Sequence, residues 1–361
     1  MELDNKTPCP AISWKNLDAD GNTNITTVVR GKFKFYPTKD RTEWELRFAE
    51  EQGGLFGADK FYNDDTNQSL QYESDFVPVK LKTDVIINAN SYSPHNKPLE
   101  KWLCGIEIKN RLGNIVLENC LQVTGERYWR RDFLGWTLDK PKLATKVPIR
   151  YEKAFGGQVV EKEEGKEDKY YAVCYSNPIG TGLLHKKHLD KVVPAPQIED
   201  PDDTLDKLKP YKQIKPKGFG FYHRSWDFRL PLAGTYDDEW KENQWPLPPH
   251  DFDLAFNQAA HPDMIVDDDY LKGNETVVLY NLLFGAEKQQ FKLPNIKVVQ
   301  RCLDSDSPII VPLDLDTVVI DIESENSDDW VVYISWRSIL KKMDKTSSSD
   351  VMMLLPDHLR A

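Results

Sequence analysis

Apolar and polar residues alternate along much of the chain. From Val29 to Tyr36, Val29, Gly31, Phe33 and Phe35 share one face, and Arg30, Lys32, Lys34 and Tyr36 share the other. After the turn Pro37-Thr38-Lys39-Asp40, Trp44, Leu46 and Phe48 alternate with Glu43, Glu45 and Arg47. Two period-two runs across a short polar turn predict a β-hairpin with one wet face. Trp102 to Ile108 and Ile115 to Val123, joined by Asn110-Arg111-Leu112-Gly113-Asn114, predict a second hairpin, with Val77 to Ala89 an extended segment before it. Towards the C-terminus, Val318, Ile320 and Ile322 face Trp330, Val332, Ile334 and Trp336 across the polar turn Ser324 to Asp329. Thr276 to Leu282 and Gln290 to Leu293 read as shorter strands before that third hairpin.

Helical periodicity is scarce. Thr235 is placed to cap a turn with Tyr236 and Trp240 four residues apart, Asp238 completing a capping box and Trp245-Pro246 closing it. Asp251 to Ala260 is a second short turn, with Phe252 and Phe256 on one stripe. The pattern predicts a mainly β, antiparallel protein of two packed sandwich-like lobes, residues 1–150 and 151–341. The second lobe contains a long irregular crossover at about 158–216, and 342–361 reads as a flexible tail. Glu161 to Lys169, made only of Glu, Lys, Gly and Asp, is an exposed loop. No fixed-period repeat is seen.

Composition sharpens this reading. A chain of 361 residues holds one large or two medium domains. Its 23 Pro disfavour long helices, and its 10 Trp, 15 Tyr and 15 Phe suit pleated surfaces. Lys plus Arg is 47 against 58 Asp plus Glu, and a net charge of −11 argues against a nucleic acid or an anionic membrane as the main partner. There is no apolar run near the roughly 18 residues of a membrane span. Met1 to Lys6 lacks the start of a signal peptide, so a cytoplasmic location is expected. Cys9, Cys104, Cys120, Cys174 and Cys302 are scattered and form no Cys-x-x-Cys pair. They read as reduced, mostly buried thiols rather than a zinc ribbon or a disulfide framework.

Motifs for nucleotide, zinc-protease or serine-hydrolase chemistry are missing, and Gly218-Phe219-Gly220 lacks the third glycine of a dinucleotide loop. His185 and His188 flank two lysines that would repel a cation. Asp18 to Asn22 and Asp267-Asp268-Asp269 read as turns rather than calcium loops. No metal or cofactor is expected. The best enzymatic candidate is Glu73 with Asp75, on one face of an extended segment, assisted by His223, His250 or His261 as in a hydrolase. The competing reading is that both carboxylates bond arginine or backbone.

Arg127-Tyr128-Trp129-Arg130-Arg131, Tyr222 to Trp226 and the stretch holding Tyr236, Trp240 and Trp245 combine residue types enriched at binding hot spots. Against docking stands core packing, with Arg reaching to solvent. A third option is stacking of Trp on sugar, as in a carbohydrate-binding module.

Several short blocks occur in a specific order. They are Leu70-Gln71-Tyr72-Glu73-Ser74-Asp75, Lys82-Thr83-Asp84-Val85, Gly125-Glu126-Arg127-Tyr128-Trp129, the run Pro148 to Gly157, Ser176-Asn177-Pro178-Ile179-Gly180-Thr181-Gly182, Leu232 to Asp237 and Phe256 to Asp263. From about Ile12 to Phe291 the chain resembles a bacterial family of type VI secretion adaptors or chaperones, encoded beside effectors that carry PAAR-type spike-tip domains. The resemblance implies a non-enzymatic protein that binds a cognate effector toxin and helps load it onto the VgrG spike. It is not carried to residues 161–169, the C-terminal hairpin or the tail. The acidic charge would suit shielding a basic toxin. Docking is expected at Arg127, Tyr128, Trp129, Arg130, Tyr236, Trp240 and Trp245. The family-motif residues Tyr72, Glu73, Asp75, Tyr151, Glu152, Phe155, Gly156, Gly157 and His261 are either structural or functional. Phe155-Gly156-Gly157 suggests a turn only glycine allows, and Glu73 or Asp75 is a candidate anchor for Arg127.

Overall fold

The computed structural model describes residues 2–39, 43–161, 167–188, 190–207, 210–267, 269–302, 309–341 and 348–359. The protein is mainly β. Fourteen strands form one mixed sheet. In chain order they are β1 (Glu2–Asn5), β2 (Ala11–Leu17), β3 (Thr23–Pro37), β4 (Trp44–Phe48), β5 (Asp84–Asn88), β6 (Lys101–Lys109) and β7 (Ile115–Thr124). They continue with β8 (Ile198–Glu199), β9 (Thr276–Leu283), β10 (Ala286–Lys292), β11 (Lys297–Cys302), β12 (Ile309–Asp321), β13 (Val331–Leu340) and β14 (Ser348–Leu354). The order across the sheet is β1-β14-β11-β12-β13-β3-β4-β10-β9-β6-β7-β8, with β2 added to β3 and β5 added to β12.

Two long strands let this sheet turn over the core. β3 pairs with β13 along one edge, while its other edge takes β2 along Thr23–Val29 and β4 along Phe33–Pro37. β12 likewise pairs with β11 through its first half and β5 through its second, with β13 on the opposite side. A strand that changes partner midway lets two parts of a sheet diverge and enclose side chains between them. Val29, Phe33, Val318, Ile320, Val332 and Ile334, the residues of the alternating pattern, are all buried there. In β5, Val85, Ile86 and Ile87 are all buried, so both faces are covered and alternation is lost, as expected for a strand laid parallel to its neighbour.

The three predicted hairpins are present as β3–β4, β6–β7 and β12–β13. The sheet is not purely antiparallel: β1–β14, β5–β12 and β4–β10 pair parallel. It also runs through residue 150 without a break, since β6 pairs with β9, β5 with β12 and β3 with β13. A second, smaller hydrophobic cluster exists, but it is built from residues 129–214, most of them between β7 and β8, around Trp129, Trp136, Phe155, Leu183 and Val193. The crossover there is not featureless. Gln158–Glu161 and Lys169–Val173 form a hairpin, while residues 162–166 of the charged insert lie outside the described residues.

The expected flexible tail is in part a strand. β14 lies between β1 and β11, with Val351 and Asp350 buried, Asp350 being held by Lys6 and Arg301. The first helical turn starts later than predicted: α1 (Asp238–Asn243) is capped by Asp237, which accepts the Trp240 N–H, while Thr235 bonds Asp251. Cys9, Cys104, Cys174 and Cys302 are buried and Cys120 is exposed, and none of the five is in a disulfide.

Candidate functional site

Glu73 and Asp75 are directed to different arginines. Asp75 accepts from Arg30 Nη1 at 3.0 Å and from the Phe56 N–H at 2.7 Å. Arg30, expected on the wet face of β3, is instead buried, its guanidinium 3.4 Å from the Phe56 ring centroid and 4.2 Å from that of Tyr333. The pair and the two rings offset the cost of moving the cation out of water. Glu73 Oε1 accepts from Arg224 and from buried Arg229, each at 2.9 Å. Arg229 also donates to the carbonyls of Tyr222 and Phe256. From β13, Arg337 donates to the carbonyls of Asp75 and Val77 and to Asp316. Both carboxylates line a cavity of about 20 Å³, room for roughly one water. The arrangement is an ionic tie between the loop carrying Glu73 and Asp75, the sheet, and the segment at 224–229.

The candidate bases are engaged as well. His261 is buried and caps the turn Pro262–Met264: the Asp263 N–H donates to its Nδ1, which leaves Nε2 to donate to the Pro216 carbonyl. Burial pushes its pKa below the ordinary histidine value. His223 is also lowered by burial, and its Nδ1 is 2.6 Å from Ser225 Oγ. His250 lies 4.0 Å from Asp20 at the surface. Among the described residues there is no group of three His, Cys, Asp or Glu that could hold a metal ion.

The expected anchor of Arg127 is not Glu73 or Asp75. Arg127 is buried and pairs with Glu199 of β8 at 2.5 Å and with Asp206 at 2.9 Å. Burial raises the Glu199 pKa and Arg127 opposes that rise. Trp129 is buried beside Trp136 in the smaller core, Tyr128 is half-buried, and exposed Arg130 pairs with Asp139. Strand Tyr128–Asp132 is central in a three-stranded sheet, with Trp129 covered and Arg131 exposed. Two large apolar side chains that the sequence reading passed over stand at its hairpin tip, Phe133 at 94% exposure and Leu134 at 82%. They interrupt no alternation and carry no motif; only their place in the tight turn after Asp132 marks them.

The second aromatic stretch behaves differently. Tyr236 is 55% exposed and Trp245 68%. Trp240 is half-buried, in edge contact with Tyr236 at 4.7 Å and donating through Nε1 to the Leu247 carbonyl. Gln244 fixes the end of α1 by donating to the carbonyls of Ala19 and Pro248. Thr235–Asp251 and the Asp253 N–H to Leu232 carbonyl bond close the segment on itself. Phe228, Leu230 and Leu254 on the same segment are also exposed. Six of the ten tryptophans are buried (102, 129, 136, 226, 330 and 336), and Trp245 alone among the ten is exposed, so no row of open indole rings is formed.

The sequence model of a bacterial family, described as "Uncharacterized protein conserved in bacteria (DUF2169)", matches residues 20–337. The chain belongs to this family. The match takes in every strand from β3 to β12 and most of β13. No curated protein and no solved structure matches the chain. Membership carries no activity with it.

Within the matched region the motif residues build the frame. Tyr72 Oη bonds Asp321 of β12. Glu152 accepts from the backbone N–H and the hydroxyl of Ser69, and buried Tyr151 packs edge-on to Tyr222 and Trp226. The glycine expectation at 156–157 is met. Gly156 has φ +154°, and a Cβ there would lie 2.1 Å from the Asn177 carbonyl oxygen. Asn177 in turn donates to the carbonyls of Tyr151 and Phe155, locking two of the collinear blocks together.

Proposed function

We propose that this protein is a non-catalytic adaptor that docks a protein partner through the aromatic face at Tyr236, Trp240 and Trp245. The observation that supports this reading is that large aromatic side chains stand in solvent on a segment whose backbone is fixed by α1 capping and by the Gln244 and Asp251 bonds. Exposed aromatics on a rigid support lose little entropy on binding, which is how interface anchors gain affinity. The collinear motif blocks favour, as partner, a cognate type VI effector carried to the PAAR and VgrG spike tip. In this reading the cores and ion pairs hold the docking face, and the toxin's chemistry belongs to the toxin.

Co-expression with the toxin encoded beside this chain, followed by affinity purification and light scattering, is the test. A stoichiometric complex is expected, and Tyr236→Ala with Trp245→Ala should weaken it by about 2 kcal/mol or more, roughly thirtyfold in Kd. A complex of undiminished affinity in that double variant overturns the assignment of the face. Absence of any complex overturns the adaptor reading itself.

A further inference from the structure

The sheet carries a second surface, with the opposite character. Where β6, β9 and β10 lie side by side, their outer face forms an open cleft of about 480 Å³. Lys109, Arg111, Lys288 and Lys292 line it, and among the described residues no carboxylate does. That is unexpected on a chain of net charge −11. The strand register explains how the cations meet. Lys109, Thr276 and Lys292 stand in one row across the three strands, and Lys288 lies on the same side of β10 as Lys292, four residues away.

The charges are unevenly spent. Lys109 pairs with Glu107 at 2.7 Å, and Glu107 also faces Lys288. Glu118 faces Lys109 from β7. Glu43 accepts from Gln290. Among the described residues Arg111, Lys288 and Lys292 have no ion-pair partner, and all three are exposed. Asn274 and Asn295 add amide donors and acceptors to the rim. A concave wall of one sign focuses the field and concentrates counter-ions.

We infer that this cleft binds an acidic, extended peptide segment of a partner protein. Strand geometry puts the Cα atoms of Lys288 and Lys292 about 13–14 Å apart and those of Lys109 and Lys292 about 10 Å apart. That spacing suits several carboxylates along one chain better than a single small anion. The amide rim can bond the peptide backbone between them. A long nucleic acid would need many more phosphate contacts than the cations of this cleft supply, and the chain's net charge of −11 opposes it. The site is separate from the aromatic face and does not rest on it.

The test uses the full chain and a fluorescein-labelled hexaglutamate peptide, read by anisotropy at about 20 mM salt, where exposed charges are least screened. Saturable binding is expected, weakened about tenfold or more in Lys288→Glu/Lys292→Glu and by a smaller factor in Lys288→Gln/Lys292→Gln. Both side chains are exposed, so the melting temperature should stay within a few degrees of the parent's. Trp245→Ala should leave peptide affinity unchanged, which keeps this result apart from that of the aromatic face. Equal binding of hexalysine, or a charge-reversed variant that binds hexaglutamate as the parent does, overturns the site. Displacement by millimolar inorganic phosphate overturns the extended ligand in favour of a single-anion pocket. Tighter binding of a single-stranded oligonucleotide, lost in the same variant, overturns the peptide in favour of nucleic acid.

Discussion

The segments 127–131 and 236–245 look alike as text and end in opposite places. Both are rich in aromatics and charge, yet Arg127 and Trp129 are buried whereas Tyr236 and Trp245 face water. The difference lies in what covers each backbone. Tyr128–Asp132 has Gly135–Leu138 on one side and Val192–Pro194 on the other, over a core that takes Trp129. α1 is six residues long and is fixed mainly by its capped end and by Gln244. Residue type proposes a hot spot; the number of elements packed on it decides whether the side chain is a core member or an anchor for something else.

The largest effect separating the two segments should come from Trp129→Ala. Deleting a buried indole from a small core costs about 3–5 kcal/mol. Chemical denaturation should show it, and a loss below about 1 kcal/mol would mean that the smaller core is not packed as described. Next is Arg127→Met, which leaves Glu199 buried without its main partner, a loss of about 3 kcal/mol near neutral pH. The sign with pH follows from burial. In the variant the folded-state Glu199 pKa rises further above its ordinary 4.5, so protonated Glu199 is tolerated. Stability relative to the parent should therefore recover below that ordinary value and be lost as pH rises through the raised one. A pH-independent deficit between about pH 4 and 8 would argue that packing alone is at stake.

Smaller still is Trp245→Ala, which should change stability by no more than about 0.5 kcal/mol while weakening partner capture. A melting shift as large as that of Trp129→Ala would make Trp245 a core residue and erase the contrast. Smallest is Arg130→Ala. It removes only an exposed pair with Asp139, worth about 0–1 kcal/mol, and should disturb neither stability nor partner binding.

How far the candidate sites were legible depended on range. Gly156-Gly157 announced a tight turn because a positive φ and a close carbonyl are local demands on one residue type. Arg30 was misplaced on the wet side because alternation reports a face and not what lies over it. Phe56 and Asp75, 26 and 45 residues further on, cover it. The basic cleft could not be seen at all. Lys109 and Lys292 are far apart in sequence and meet only through the β6–β9–β10 register.

The sequence by itself determined the β class, the three hairpins, the buried alternating face and the glycine turn, since each follows from a period of two or from the stereochemistry of one or two residues. Tertiary structure alone decided the rest. It built the smaller hydrophobic cluster mostly between β7 and β8, laid part of the expected tail down as β14, gave the two carboxylates different arginines and left Trp245 in water. Those outcomes depend on which distant strand arrives beside which, and burial and ion pairing are properties of that neighbourhood rather than of any residue alone.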